Sequence, residues 1–185
     1  MIEETLDNAE TRMKGAIHAL TLDLSGYRTG RASTHLVERL IVTVYSVELP
    51  LNQIASISVP EPQQIAIRPY DVKNISAIER AILKSDLSLN PNNDGKLIRL
   101  NIPRLTEERR RELTKVVGKR VEEARVAVRN VRRDALHELQ KLKDGKKISE
   151  DDYYRAEENM QELTDLYIEE VNEAGKQKEA EIMEV

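Results

Sequence analysis

The sequence predicts an α+β protein: an elongated three-helix bundle with a small β/α/β domain inserted between its first and second helices. Three observations carry this reading. Apolar residues recur at steps of three and four over three long stretches. Short β-branched runs broken by proline lie between the first and second of these. Hydrophobic residues make up 39% of the 185-residue chain, yet there is no Phe and no Trp. A core drawn from Leu, Ile, Val, Ala, Met and a few Tyr suits long, thin helical packing better than a large globular interior.

The first helix is carried by Ile2, Leu6, Ala9, Met13, Ala16, Leu20, Leu24 and Tyr27, and ends near Thr29-Gly30. Leu40 to Tyr45 and Ile54 to Val59 are β-branched runs with Pro50 between them and Pro60 and Pro62 after them. Gln64 to Arg68 alternates with period two before Pro69. Ile75, Ile78, Ala81 and Ile82 form a short helical stripe. Asn90 to Gly95 is composed as a turn, and Leu97 to Ile102 alternates as a last strand.

Helical periodicity returns after Pro103-Arg104-Leu105. Thr106 suits an N-cap, with Glu107 and Glu108 at the positive end of the helix dipole. The apolar face of the second helix runs from Leu113 to Leu142, and Asp144-Gly145 ends it. Ser149 caps the third helix with Asp152 as its capping-box partner. The third seam is expected at Tyr153, Ala156, Met160, Leu163, Tyr167, Val171 and Ala174.

Three such stripes pack most simply as a bundle with shallow crossing angles. The expected organisation is therefore residues 1–30 and 105–185 as the bundle and 31–104 as the inserted domain. Two crossings of the chain join them, near Gly30-Arg31 and Pro103-Arg104-Leu105. A double connection restrains twisting but permits a hinge, and predicts an L or bent-rod outline.

The chain has no Cys, so its fold rests on packing, compatible with a reducing compartment. Met1-Ile2-Glu3-Glu4 carries acid where a signal or transit peptide carries base, and no apolar run approaches the ~20 residues that span a bilayer. A cytoplasmic protein with no membrane partner is expected. His18, His35 and His137 fall in three different elements without partners at ligand spacing, so no metal is expected. There is no P-loop or dinucleotide glycine pattern, no cofactor is implied, and nothing rises to an enzyme signature.

Net charge is −4, but residues 105–143 hold 12 Lys+Arg against 7 Asp+Glu, whereas residues 150–185 hold 3 against 13. Charge location thus matters more than the total. The informative stretch runs from Ala124 to Arg133. It has four arginines, no lysine and no acid. At 100° per residue, Arg125, Arg129, Arg132 and Arg133 share a sector of about 100° beside the apolar seam. Asp134, Glu123 and Glu138 fall elsewhere. Arginine favours forked contacts to phosphate, and Asn130 offers a hydrogen bond to a sugar or base edge. Arg109-Arg110-Arg111 adds charge at the helix start, and Arg28 and Arg31 are expected near the same region. Two readings stay open: a phosphate-binding face, or arginines that snorkel along the seam and pair with the acidic third helix. On the second reading the chain is an acidic helical scaffold or chaperone for a protein partner.

Five blocks of the chain, Tyr27 to Ala32, Ser85 to Pro91, Leu105 to Arg110, Val126 to Ala135 and Ile148 to Asp152, resemble ribosome recycling factors, in order and over the whole length. The resemblance implies the same two domains on a hinge. It implies a monomer that binds large-subunit ribosomal RNA, not DNA. With elongation factor G and GTP, it splits the ribosome after termination and hydrolyses nothing itself. Carried over by position, Arg129 and Arg132 resemble bundle arginines that contact RNA, and Arg28 and Arg31 match the same basic surface. Arg133 and Asn130 belong to a matched block. One departure stands out: Val44-Tyr45-Ser46 replaces the Tyr-Tyr-Gly of many relatives, which bears on a turn in the small domain.

Overall fold

A computed structural model describes residues 1–184. The chain folds into two compact units. One comprises residues 1–28 and 107–184, the other residues 29–106. The mixed helical and sheet content expected from the sequence is present, with a long helical part and a small sheet unit.

The helical unit is built from α1 (Ile2–Ser25) and two later helices. α1 buries Thr5, Ala9, Met13, Leu20 and Leu24. In the sheet unit the chain first forms β1 (Ile41–Val44) and β2 (Val47–Pro50), a two-stranded antiparallel hairpin. A single helical turn, α2 (Leu51–Ile54), leads into β3 (Ala55–Glu61) and β4 (Gln64–Pro69). Then follow α3 (Ile75–Lys84), β5 (Pro91–Asn93) and β6 (Ile98–Asn101). The second sheet is antiparallel, in the order β3-β4-β6-β5. Its core is Ile65, Ile67, Ile98 and Leu100 from the strands against Ile75, Ile78 and Ile82 of α3, joined by Val42, Val44 and Leu51. The period-two alternation of β4 and β6 places one face of each in this core.

Two strands and one helical turn were not foreseen. Residues 91–93, read as part of a turn, pair with β6, so the turn shrinks to Asp94-Gly95, where the Asp94 carboxylate accepts the amides of Lys96 and Leu97. Val47 to Pro50 is too short to show a clear alternation and buries neither face, and its pairing is imposed by the hairpin turn. That turn, Tyr45-Ser46, takes the left-handed conformation at both positions, φ 49° and 66°, without a glycine. A two-residue hairpin demands this backbone, and L residues other than Gly adopt it at a cost of about 1–2 kcal/mol each. Ser46→Gly is therefore expected to stabilise the small unit by about 0.5–1 kcal/mol, after the entropy glycine adds to the unfolded chain. An unchanged urea midpoint would contradict the strain.

α4 (Glu107–Asp144) is 38 residues long, about 57 Å at 1.5 Å per residue, and begins one residue after Thr106. It buries Leu113, Val117, Val121, Ala124, Val128, Val131, Ala135 and Leu139. α5 (Glu150–Met183) opens on the expected capping box: the Ser149 hydroxyl accepts from the Asp152 amide, and the Asp152 carboxylate accepts from Ser149. These hydrogen bonds, first from the Ser149 side chain, hold the Asp152 carboxyl below the usual carboxylate range. The seam of α5 departs from the expected one. Thr164 and Gly175 are buried where Leu163 and Ala174 were expected. The packing line follows the true helical repeat to smaller residues. The Thr164 hydroxyl donates to the Met160 carbonyl within its own helix, so the polar atom costs little where it is buried. At Gly175 an added Cβ would lie 2.6 Å from a methyl of Val121, so α4 and α5 approach closely there.

Candidate nucleic-acid interface

α4 positions the candidate residues because its apolar seam fixes the rotation of the helix. Residues on one side of the seam meet α1, and those on the other side meet α5. On the α1 side, Asp134 accepts from Arg12 at 2.8 Å, and Arg120 bridges Asp23 and Glu123. The Arg12 guanidinium holds the Asp134 carboxyl below its usual range. This flank is a ladder of matched charges.

The α5 side differs. Arg125 donates from Nε to the Asn172 side-chain oxygen at 2.7 Å, and Arg132 donates to the Gln161 side-chain oxygen at 2.8 Å. Both partners on α5 are neutral amides. The acid nearest along this chain of bonds, Asp165, reaches Gln161 rather than Arg132. The Arg132 Nε is buried with no hydrogen-bond partner among the described residues. Arg129 is about half exposed, and Arg133 and Asn130 are exposed. Arg133 forms no ion pair among the described residues.

The expected unipolar sector needs one correction. Glu122 lies one turn before the stretch and within the same sector, where it binds Arg125 at 2.9 Å and Arg129 at 3.2 Å. Arg125 first, then Arg129, hold its carboxyl below the usual range. Counting Asn130 as neutral, four guanidiniums and one carboxylate leave three positive charges on the flank. Glu122 stands two residues before the acid-free stretch from Ala124 to Arg133, and at 100° per residue it shares the angle of the arginines.

The other expected residues lie in other segments of the chain. Arg109 pairs with Glu112 and Arg111 with Glu107, so the charge at the start of α4 is locally balanced. Arg28 follows Tyr27, whose hydroxyl accepts from the Arg120 Nε at 3.4 Å. Arg31 belongs to the sheet unit together with the connecting residues Gly30, Pro103, Arg104 and Leu105. Gly30 has φ +77°, and a Cβ there would come within 3.5 Å of the Leu105 amide and 3.7 Å of the Pro103 carbonyl. The two connecting segments thus lie in van der Waals contact, and the glycine is favoured there by its backbone angle. Arg104 donates to Gln63 at 3.0 Å, which ties its segment to the sheet unit.

No described helix is long and apolar enough to cross a membrane, and no group of three or more His, Cys, Asp or Glu converges among the described residues. The fold is that of a long helical unit whose helix α4 carries a cationic flank of guanidiniums, beside a small sheet unit in the chain.

The family model for ribosome recycling factor matches residues 20–183. The chain is 53% identical over 185 residues to the ribosome-recycling factor of Roseiflexus castenholzii, and 53% identical over 185 residues to that of Chloroflexus aurantiacus, with all of both chains covered in each case. Its structure is similar to a solution structure of the ribosome recycling factor, with TM-score 0.76, 47% identity, and 100% and 98% of the two chains covered. It is also similar to a chain in models for the T. thermophilus ribosome recycling factor and the E. coli elongation factor G bound to the E. coli post-termination complex. There the TM-score is 0.63 and the identity 41%, and both chains are covered in full. The chain belongs to the ribosome recycling factor family, a family of translation factors that act on the ribosome.

Proposed function

We propose that this protein binds the large ribosomal subunit after termination through the α5-side flank of α4, and that with elongation factor G and GTP it splits the complex into subunits. The observation that carries the proposal is the surplus of three positive charges on Arg125, Arg129, Arg132 and Arg133, two of which meet the acidic helix only at neutral amides. Guanidiniums held by one edge keep their remaining N–H groups for phosphate oxygens. Asn130, exposed beside them, supplies a neutral donor and acceptor for sugar or base edges. Arg28 and Arg31 complete the proposed set of RNA contacts.

The protein works in the cytoplasm as a monomer and catalyses nothing. Its 38-residue α4 acts as a stiff lever. Gly30-Arg31 and Pro103-Arg104-Leu105 act as the hinge through which the factor's push on the sheet unit reaches the bundle.

Co-sedimentation with purified large subunits at two salt concentrations tests this reading. Affinity should fall with salt with a log–log slope of about −2 to −3, as expected for three surplus cations on phosphates. Binding that ignores salt, or requires no ribosome, favours the protein-scaffold alternative. Glu122→Gln should strengthen binding about two- to fivefold and steepen the slope, because it releases Arg125 and Arg129 from an exposed pairing worth under about 1 kcal/mol each. Weaker binding by that variant would mean that Glu122 orients the arginines rather than competing for them.

A further inference from the structure

In the sheet unit, β1 has one strand partner and one open edge. In the hairpin register, Val44 faces Val47 across a two-residue turn. The pairs that exchange N–H···O bonds are therefore Val44 with Val47 and Val42 with Leu49. The Leu51 amide continues this ladder by donating to the Leu40 carbonyl at 2.8 Å. By the same alternation, the amides and carbonyls of Ile41 and Thr43 point away from β2, and they have no backbone partner among the described residues. Both residues are exposed, Ile41 by 52%.

That edge borders a cleft of about 420 Å³. Leu40, Ile41 and Thr43 form one wall, and Ala77, Arg80, Ala81, Lys84 and Ser85 at the end of α3 form the other. Ala77 and Ala81 keep the helix side low. Arg80 and Lys84 stand one turn apart on the rim, both exposed, and neither forms an ion pair among the described residues. No carboxylate lines the cleft.

We infer that the cleft between the open edge of β1 and α3 accepts an extended acidic peptide segment of a protein partner, which adds to β1 as a further strand. Unpaired main-chain groups on an edge strand provide a template for strand addition, and the charge of the rim selects the side chains. Arg80 and Lys84 are spaced about 6 Å along the helix axis. Alternate residues of an extended strand are spaced about 6.6 Å on one face. The matching segment is acid–any–acid, with each carboxylate opposite one cation.

The test titrates the full-length ¹⁵N-labelled protein with a blocked pentapeptide, acetyl-Ser-Asp-Val-Asp-Val-amide. Saturable shifts are expected at the amides of Ile41 and Thr43 and along residues 77–84. N-methylation of the peptide's strand-facing amides should abolish them. The double variant Arg80→Glu, Lys84→Glu, its spectrum otherwise unchanged, should weaken binding about tenfold, the loss of two exposed ion pairs and their replacement by repulsion. Four outcomes would overturn the inference: no binding at millimolar peptide, equal binding of the N-methylated peptide, shifts centred on the α4 arginines, or concentration-dependent shifts at Ile41 and Thr43 without peptide. The last would show that a second copy of the chain covers the edge.

Discussion

Replacing Arg129 and Arg132 together by alanine should weaken binding to purified large subunits about 100-fold. A charge-assisted hydrogen bond to a phosphate contributes about 1.5–3 kcal/mol when partly desolvated, and every 1.4 kcal/mol is tenfold in affinity. Arg132 should account for more of the loss. Its Nη1 is held by Gln161, which fixes the guanidinium and presents its remaining outer N–H groups to a phosphate oxygen. The lysine versions should recover part of the affinity, since they restore charge but not the fork. Arg132 also donates to Gln161, so the thermal midpoint must be followed in parallel. An exposed bond of that kind contributes under about 1 kcal/mol, and the double variant should stay folded. Unchanged affinity in a folded double variant would remove these residues from the interface.

The second large effect concerns stability. Gly175→Val should destabilise the bundle by about 2–4 kcal/mol, because even a Cβ would overlap a methyl of Val121 and a β-branched side chain cannot swing away. For a chain of this size that lowers the thermal midpoint by about 4–16 °C. Helix propensity alone predicts the opposite, since Gly costs about 1 kcal/mol relative to most residues in a helix interior. The two effects separate in a Val121→Ala background, where the overlap disappears and Gly175→Ala should become neutral or stabilising. A midpoint that rises for Gly175→Val in the native background would show that α4 and α5 do not approach so closely.

These cases mark where the sequence was informative. Long stretches with a sustained repeat specified α1, α4 and α5, because a helix must bury a stripe and the stripe is written in the residue order. The capping box at Ser149 and Asp152 was equally legible, being a local contact at fixed spacing. The seam of α5 slipped by one residue at Thr164 and Gly175, since hydrophobicity alone prefers Leu163 and Ala174 and cannot see which position faces Val121. Strand β2 and the short β5 were hidden because their pairing is set by neighbouring strands, and Pro91-Asn92-Asn93 has the composition of a turn.

The binding face shows the same division. Helix geometry gathered Arg125, Arg129, Arg132 and Arg133 from spacing alone, yet their partners depend on which residues of α5 lie opposite. Those residues are Asn172 and Gln161, two amides in a helix dominated by acids. Composition leaves open both a phosphate-binding face and neutralisation between α4 and α5. Among the described residues, the contacts pair the sector's arginines with one acid, Glu122, on α4 itself.

The chain has no cysteine, so a single introduced thiol is a unique attachment point for a tethered iron chelate. Asn130→Cys places the chelate on the exposed side of α4 beside the arginine flank, and Glu162→Cys places it on the exposed outer face of α5. With both proteins bound to large subunits, hydroxyl radicals from the first position should cut ribosomal RNA at a few discrete sites, and those from the second should cut weakly or not at all. Strong cleavage from the α5 position with none from the α4 position would contradict the docking face.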